Sequence, residues 1–396
     1  DRIDISPLFE TRKALERGIA LLDGALAVPA YRDYVRRRGR LCFQTGFSDA
    51  GRYLGQTAAS VAIERIRLDL AAMLRRHDLL DVEVVIFDTH GESIGRGAHP
   101  ASFADRLRYY DTPESRRRFA EAGLSVVQES SYQGGDGYLY FSSELSALAA
   151  VTRVLEHVTN EPAETPDPFY DERVYVDEFF AAVRQFNDRI IENPAYATLL
   201  GLYGTNLLYP TGSRSVRRQH DTGSPRPSVE HPSQIRAIPH NSILQQLGIL
   251  ANTIGGVGQA AGKDPQRFLE LYRASPRFRR LMAMVEHAFM YTDLEVVRAY
   301  LARFDAETWL LRADDARTDE AHEELRLVAD HVERLGLSER LMRVFRTLQR
   351  DWMDLARALR VHRRVTRDAG RTPIAVDPAT RANLHLLHAL RLALIA

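Results

Sequence analysis

Cysteine, lysine and long apolar runs are scarce in this chain. Cys42 is the one cysteine among 396 residues, which excludes an internal disulfide and a metal site made of cysteines. The only lysines are Lys13 and Lys263, so an anion site must use arginine, histidine or backbone amides. No apolar run reaches about 18 residues and no signal-peptide pattern is present, which together predict a cytoplasmic protein.

The charges cancel, with 53 basic residues against 53 acidic ones, so no overall field attracts nucleic acid or a membrane. The chain starts at Asp1 without a methionine, and a strand-like run follows within a few residues. A domain rarely begins so abruptly, and we expect processing, truncation or a further N-terminal part outside this sequence.

Strand-like runs alternate with amphipathic stretches in the first third of the chain. The runs are Ile3–Phe9, Leu41–Phe47, Val82–Phe87 and Leu124–Gln128. Strand followed by helix, repeated, is the pattern of parallel βα units, and four units make half of an eight-stranded barrel. Residues 1–145 are therefore predicted to form half of a (βα)8-type barrel in a mostly helical α/β protein.

The rest of the chain is predicted to be helical. Residues 146–310 form one helical region, interrupted by 209–239. This segment is rich in Arg, Ser, Pro and Gly, which predicts a functional loop or a flexible segment. Residues 311–396 form a C-terminal helical region with a break at Leu335–Leu337. Its last apolar helix, Asn383–Ala396, is expected to be buried.

Carboxylates follow the first two predicted strands. Glu10 comes after the first and Asp49 after the second. The carboxyl ends of parallel strands meet on one face of a barrel, and paired carboxylates suit Mg²⁺ or Mn²⁺. The alternative is that Glu10 caps the next helix and Asp49 anchors a turn.

Three arginines stand in motifs that suit an anion. Arg96 lies between two glycines in a loop after the third strand, where flexible backbone presents amides as well. Arg214 ends a Gly-Ser-Arg triplet, and Arg236 begins Arg-Ala-Ile-Pro. Each motif alone is also compatible with an ordinary surface arginine.

The order of these motifs resembles that of the phosphoenolpyruvate carboxylase family. Pro-Leu-Phe-Glu-Thr precedes Gly-Phe-Ser-Asp, then His-Gly-Glu-Ser-Ile-Gly-Arg-Gly, Gly-Ser-Arg and Arg-Ala-Ile-Pro. The likeness runs from Ile5 to about Phe304 and implies the C-terminal half of a mostly helical protein built around an eight-stranded barrel. It also implies carboxylation of phosphoenolpyruvate with bicarbonate, giving oxaloacetate and phosphate.

Site residues follow from the same resemblance. Glu10 and Asp49 match the ligands of Mg²⁺ or Mn²⁺. The residues matched to the substrate and its transient anions are Arg52 (usually Lys in the family), Arg96, Arg214, Arg236 and Gln246. The implied partners are phosphoenolpyruvate or a related acid, bicarbonate, and an N-terminal half in the same protein or in a separate subunit. Further copies in a dimer or tetramer are also implied.

The glycine-containing loop departs from the family. The family's Phe-His-Gly-Arg-Gly-Gly is Phe-Asp-Thr-His-Gly-Glu here, so Asp88 replaces a His, His90 an Arg and Glu92 a Gly. Like charges about 4 Å apart repel by roughly 4 kcal/mol at an effective dielectric constant near 20. Acids beside a phosphate would therefore weaken its binding unless their side chains turn away.

Two further departures concern catalysis and regulation. The family's catalytic His, in Thr-Ala-His-Pro-Thr, belongs to an N-terminal half that this sequence lacks. His90 and His99 are candidates to handle protons instead. Tyr291 stands where the family has a Lys for feedback by aspartate, so we do not expect that inhibition.

Three hypotheses remain at this point. The chain belongs to a metal-dependent carboxylase, to a divergent enzyme that acts on another 2-oxo or enol acid, or to a non-catalytic binding or assembly subunit. Retention of both metal-site carboxylates favours an enzyme of the carbon-carbon lyase type.

Overall fold

A four-stranded parallel sheet is the part of the fold that positions the site. The computed structural model describes residues 3–89, 107–108, 111–130, 143–159, 166–205, 229–368 and 378–395. Within them the strands pair in chain order and every pair is parallel. The strands are β1 (Leu8–Phe9), β2 (Arg40–Gly46), β3 (Glu83–Thr89) and β4 (Val126–Ser130). This partial α/β barrel within a mostly helical chain confirms the predicted fold class.

Helices account for most of the remaining described residues. Up to residue 204 they are α1 (Arg12–Glu16), α2 (Gly18–Ala27), α3 (Pro29–Arg38), α4 (Phe47–Leu54), α5 (Gln56–Arg76), α6 (Pro113–Glu121), α7 (Glu144–Thr159), α8 (Pro168–Asp171), α9 (Arg173–Ile191) and α10 (Pro194–Gly204). After a 3₁₀ turn at Pro232–Gln234 they are α11 (Ala237–Leu247), α12 (Ala251–Ile254), α13 (Val257–Lys263), α14 (Pro265–Ala274), α15 (Pro276–Met290), α16 (Leu294–Ala302), α17 (Ala306–Asp314), α18 (Asp319–Leu335), α19 (Ser338–Asp368) and α20 (Pro378–Ile395).

The first strand is much shorter than its apolar run predicts. Only Leu8 and Phe9 pair with β2, although the carbonyl of Pro7 also accepts from the Gln44 amide at 2.8 Å. Proline has no amide hydrogen to give to the ladder. Before it, Asp4 binds Arg38 at 2.7 Å instead of joining the sheet. The other three predicted strands lie within two residues of the observed ones.

The two faces of the sheet differ because side chains alternate along each strand. Phe43 of β2 and Ile86 of β3 are paired, fully buried and on the face that α5 reaches. On the opposite face Leu8 is 43% exposed and Val127 is 39% exposed. The first face is therefore a core, and the second is open in this chain.

Helix α5 supplies most of the core on the buried face. Ile63, Ile66, Leu70 and Leu74 recur at helical spacing and are at most 2% exposed. Arg67 lies one helical turn after Ile63 on the same stripe, and its side chain is fully buried. A charged residue on an apolar stripe requires a partner in the core.

Two compact units divide the described chain. One contains Asp1–Asn187 and Ala260–His287, and includes the sheet. The other contains Asp188–Gln259 and Ala288–Ala396. The division into 1–145, 146–310 and 311–396 stays a prediction.

The C-terminal helices confirm one boundary and correct another expectation. Helix α18 ends at Leu335, and Gly336 adopts φ +60°, as the predicted break requires. The last helix, α20, was expected to be buried, but this expectation is wrong: Leu386 is 59% exposed and Leu390 is 53% exposed. Among the described residues, no helix has the length and apolar character needed to cross a membrane.

Candidate metal and anion site

Glu10 lies beside Gly46, the last residue of β2. The pairing of Phe9 with Thr45 brings the next two residues, Glu10 and Gly46, side by side. A Cβ atom at Gly46 would stand 2.6 Å from the Glu10 Cβ and 3.3 Å from its Oε2. Thr11, whose Oγ1 accepts from the Ala14 amide at 3.2 Å, is the N-cap of α1. The alternative in which Glu10 caps the helix is therefore wrong.

Asp49 is brought to the same strand end by a direct strand-to-helix junction. Helix α4 begins at Phe47, immediately after β2, and Asp49 lies in its first turn with 14% of its side chain exposed. The Asp49 Oδ1 forms an ion pair with Nη2 of Arg52 at 2.7 Å. Gly46, which has no side chain, thus separates the Glu10 carboxylate from the helix turn that carries Asp49.

Arg52 is turned into the protein. Its side chain is 1% exposed, and its guanidinium carbon lies 4.5 Å from the centre of the Tyr53 ring. Its Nη2 also donates to the Tyr53 hydroxyl at 2.8 Å. These contacts hold the planar guanidinium through charge and ring stacking together. Arg52 is thereby a partner of Asp49 in this structure, and its assignment to substrate stays a prediction.

By their chemistry the carboxylates of Glu10 and Asp49 are ligands that a hard divalent cation prefers, and their assignment to one metal ion stays a prediction. Mg²⁺ is commonly bound through one or two carboxylates, with water and substrate oxygens as the other ligands. No cluster of three or more His, Cys, Asp or Glu residues able to hold a metal occurs in the described ranges. The donor set therefore suits Mg²⁺ or Mn²⁺ better than a closed structural zinc site.

Asp88 does not face the open side of the sheet. It is fully buried on the α5 side, where its Oδ2 accepts from Nη2 of Arg67 and, at 2.7 Å, from Nε2 of Gln128. Its Oδ1 accepts from Oγ1 of Thr45. The acid has turned away from the open face, so the repulsion expected of Asp88 against a phosphate does not apply.

Arg67 remains a cation at this depth. Burial by itself would lower the pKa of Arg67, but the charges of Asp88 and Asp111 outweigh it and hold the pKa above its usual value. The sequence offered a signal for this pair: a charged residue on the apolar stripe of one helix and an acid in a buried strand. The partner itself was missed.

Arg236 and Gln246 lie at opposite ends of α11. Arg236 is the N-cap residue, and its Nε is buried with no hydrogen-bond partner among the residues described. Gln246 is the penultimate residue of the helix, ten positions further on, which corresponds to about 15 Å along the axis. Arg236 and Gln246 therefore extend from opposite ends of this helix, and their roles in substrate binding stay predictions.

The remaining site residues lie outside the described residues. They are His90, Glu92, Arg96, His99 and Arg214. Of the predicted loop 209–239, only 229–239 is described, and it contains the 3₁₀ turn and the start of α11. The roles of these five residues stay predictions.

The comparisons agree with the motif order. Residues 1–359 match the model of the family described as phosphoenolpyruvate carboxylase. The phosphoenolpyruvate carboxylase of Nocardia farcinica is 26% identical over 335 residues, which are 81% of this chain and 35% of that protein. Phosphoenolpyruvate carboxylase 2 of Arabidopsis thaliana is 25% identical over 308 residues, 76% of this chain and 30% of that protein.

A shorter match has a higher identity. The phosphoenolpyruvate carboxylase of Tolumonas auensis is 38% identical over 97 residues, which cover 24% of this chain and 10% of that protein. The chain spans about a third of the length of the first two relatives. Because the family match covers most of its residues, the chain belongs to the phosphoenolpyruvate carboxylase family.

Proposed function

We propose that this chain carries the metal and anion site of an enzyme that carboxylates phosphoenolpyruvate with bicarbonate, giving oxaloacetate and phosphate. The observation that carries the proposal is the approach of Glu10 to Gly46, at the strand end that leads directly to Asp49. Family membership supports the reaction class, a carbon-carbon lyase. Mg²⁺ or Mn²⁺ is the proposed cofactor.

The proposed reaction divides the work between metal ligands and arginines. Glu10 and Asp49 would hold the cation, which supplies a Lewis acid for the enolate oxygen of the substrate. A bicarbonate oxygen attacks phosphorus and the bond from phosphorus to the enol oxygen breaks, leaving carboxyphosphate and an enolate. Carboxyphosphate then yields CO₂ and phosphate, and the enolate carbon bonds to CO₂.

We assign anion binding in this scheme to Arg236, on the basis of its motif and its buried Nε. Its buried Nε has no hydrogen-bond partner within the described ranges. A guanidinium binds carboxylate or phosphate through two parallel hydrogen bonds, which also fixes the orientation of the ligand. We assign the same task to Arg96 and Arg214, proton handling to His90, and supporting contacts to Arg52 and Gln246.

The direct test is product formation by the full-length protein. It would be incubated with phosphoenolpyruvate, bicarbonate and Mn²⁺, and both phosphate and oxaloacetate would be measured. The control is Glu10→Gln, which keeps the size of the side chain above Gly46 and removes its charge. Equal oxaloacetate formation by wild type and Glu10→Gln would refute the assignment of Glu10.

A non-catalytic subunit is the second candidate function. It is favoured by the ion pair between Asp49 and the buried Arg52, because that pair occupies an oxygen suited to the cation. Titration with Mn²⁺ decides between the two candidates. Failure of Mn²⁺ to bind to the full-length protein would favour the subunit, whereas binding lost in Glu10→Gln would favour the enzyme.

The remaining alternative is an enzyme for a 2-oxo or enol acid without a phosphate. This alternative was based on the acids in the glycine-containing loop, which were expected to repel a phosphate. The contact of Asp88 with Arg67 weakens that argument for Asp88. His90 and Glu92 still support it. Competition of phosphoenolpyruvate and of unphosphorylated 2-oxo acids for the Mn²⁺-loaded protein would separate these substrates.

The proposal also covers the rest of the protein, its oligomeric state and its location in the cell. We assign the rest of the barrel to an N-terminal half in the same protein or in a separate subunit; the relatives are about three times as long as the matched part. Family membership supports a homo-oligomer, a dimer or tetramer, in the cytoplasm.

A further inference from the structure

Arg67 connects two points of the chain that flank the glycine-containing motif. Its Nη2 binds Asp88 near the end of β3, and its Nη1 lies 3.8 Å from Oδ1 of Asp111, just before α6. We propose that Arg67 is a positioning residue that fixes both flanks of the segment between β3 and α6. The inference rests on the proposed function, because the motif in that segment carries Arg96.

The β3 side of this connection is built from complementary polar groups. Gln128 of β4 donates from Nε2 to Asp88 at 2.7 Å and accepts from Nη1 of Arg67 at 2.9 Å. Thr45 of β2 donates to the other Asp88 oxygen. One carboxylate therefore joins three neighbouring strands to α5. In a low-dielectric core such charge-assisted bonds are strong, and the loss of one partner leaves a costly charge.

The α6 side has its own anchors. Oδ2 of Asp111 lies 2.7 Å from Nε2 of His157 on α7 and 3.9 Å from Nε of Arg116. Arg116 also donates to the Val158 carbonyl at 3.0 Å. Asp111 is thus bound to α7 on one side and to Arg67 on the other, and Arg67 contacts both flanks of the segment.

The pair also explains how this chain tolerates an acid where the family has histidine. A carboxylate at Asp88 is acceptable in the core only with a cation opposite it, and Arg67 supplies that cation from α5, 21 positions earlier in the chain. Asp88 and Arg67 therefore act as a unit, and replacement of one is best compensated by replacement of the other.

Loss of Arg67 should act on anion binding and leave metal binding unchanged. In Arg67→Gln, Asp88 is left buried without its cation, and the end of β3 must move. Displacement of a substrate contact by about 1 Å can cost about 10²-fold in rate. Glu10 follows β1 and Asp49 follows β2, and Thr45 of β2 keeps its Asp88 acceptor in this variant, so Mn²⁺ affinity should stay within about twofold of wild type.

Four full-length variants test this inference: Arg67→Gln, Asp88→Asn, the double variant, and Arg75→Gln as a matched control. Arg75 lies on the same helix but is exposed. The first measurement is hydrogen exchange of the amides in 84–89 and 111–118, which needs no activity. We expect exchange at least tenfold faster in Arg67→Gln, and near the wild-type rate in the double variant and the control.

The second measurement is binding of Mn²⁺ alone and of inorganic phosphate to the Mn²⁺-loaded protein. We expect phosphate affinity at least tenfold weaker in Arg67→Gln, with recovery to within about threefold in the double variant. If Arg67→Gln unfolds, Asp88→Asn carries the same test through its exchange rates and phosphate affinity.

The outcomes separate this inference from the proposed function. Unchanged exchange in Arg67→Gln, or a double variant worse than either single one, would overturn the positioning role. If wild type makes no oxaloacetate but the exchange and phosphate results hold, the proposed function fails and the positioning role stands.

Discussion

Replacing Gly46 by alanine adds one methyl group at the strand end where Glu10 crosses β2. That Cβ would lie 2.6 Å from the Glu10 Cβ and 3.4 Å from its Cα. Unstrained carbon atoms stay about 3.5–4.0 Å apart, so the Glu10 side chain must move by about 1 Å. Gly46 has φ −100° and ψ 98°, a conformation open to alanine, so the effect is one of contact and not of backbone strain.

The size of the effect follows from that displacement. Overpacking of this kind costs about 1–3 kcal/mol of unfolding free energy. Metal affinity should fall further, because a ligand moved by about 1 Å no longer meets the narrow distance range that Mg²⁺ demands. We expect Mn²⁺ binding to weaken at least tenfold.

The assay is a calorimetric Mn²⁺ titration together with chemical denaturation. Gly24→Ala is the matched control, because Gly24 is inside α2 with no atom within 4 Å of a built Cβ. Alanine there should raise stability by about 0.5–1 kcal/mol and leave Mn²⁺ binding unchanged. Wild-type Mn²⁺ affinity in Gly46→Ala would refute the placement of Glu10 as a metal ligand.

Two further predictions concern the second compact unit. Burial raises the pKa of Asp351 to about 7, although the Gly256 amide, 3.0 Å from its Oδ1, acts in the opposite direction. A pKa raised on folding favours the folded state at pH below about 4, and that contribution is lost as the pH rises through 7. Asp351→Asn should remove this pH-dependent loss of stability, which is worth up to about 4 kcal/mol for a pKa raised by roughly three. If the melting temperature of the variant depended on pH as that of the wild type does, the prediction would be wrong. Gly258→Ala would place a Cβ 2.2 Å from the Leu355 backbone nitrogen, which cannot rotate away, so we expect a loss of about 3 kcal/mol in denaturant unfolding. Gly262→Ala, on the same helix with open space around it, is its control and should cause no loss.

The sequence predicts a strand of the sheet correctly where the local composition determines it. The runs that became β2, β3 and β4 are rich in β-branched and apolar residues, and their limits lie within two residues of the prediction. The run at Ile3–Phe9 has the same composition but contains Pro7, which restricts pairing to its end. The last helix was misjudged because apolar composition alone does not provide a surface for a helix to pack against.

The candidate site was predictable where it depends on strand ends. Glu10 and Asp49 follow from the rule that parallel strands present their carboxyl ends on one face, and the close approach of Glu10 to Gly46 agrees with it. The partner of Asp88 was not predictable in the same way. Arg67 is 21 positions away on a helix, and only the packing of α5 against the sheet brings the two charges together.

The alternation of side chains along β3 determines which mutations this chain can accept. A substitution at Asp88 changes one contact in the core, but a one-residue deletion earlier in β3 would reverse the direction of every later side chain in the strand. Asp88 would then point away from Arg67, and the buried guanidinium would lose its carboxylate partner. Lineages of this protein should therefore vary in the identity of the residue at 88 together with that at 67, while the length of β3 stays constant.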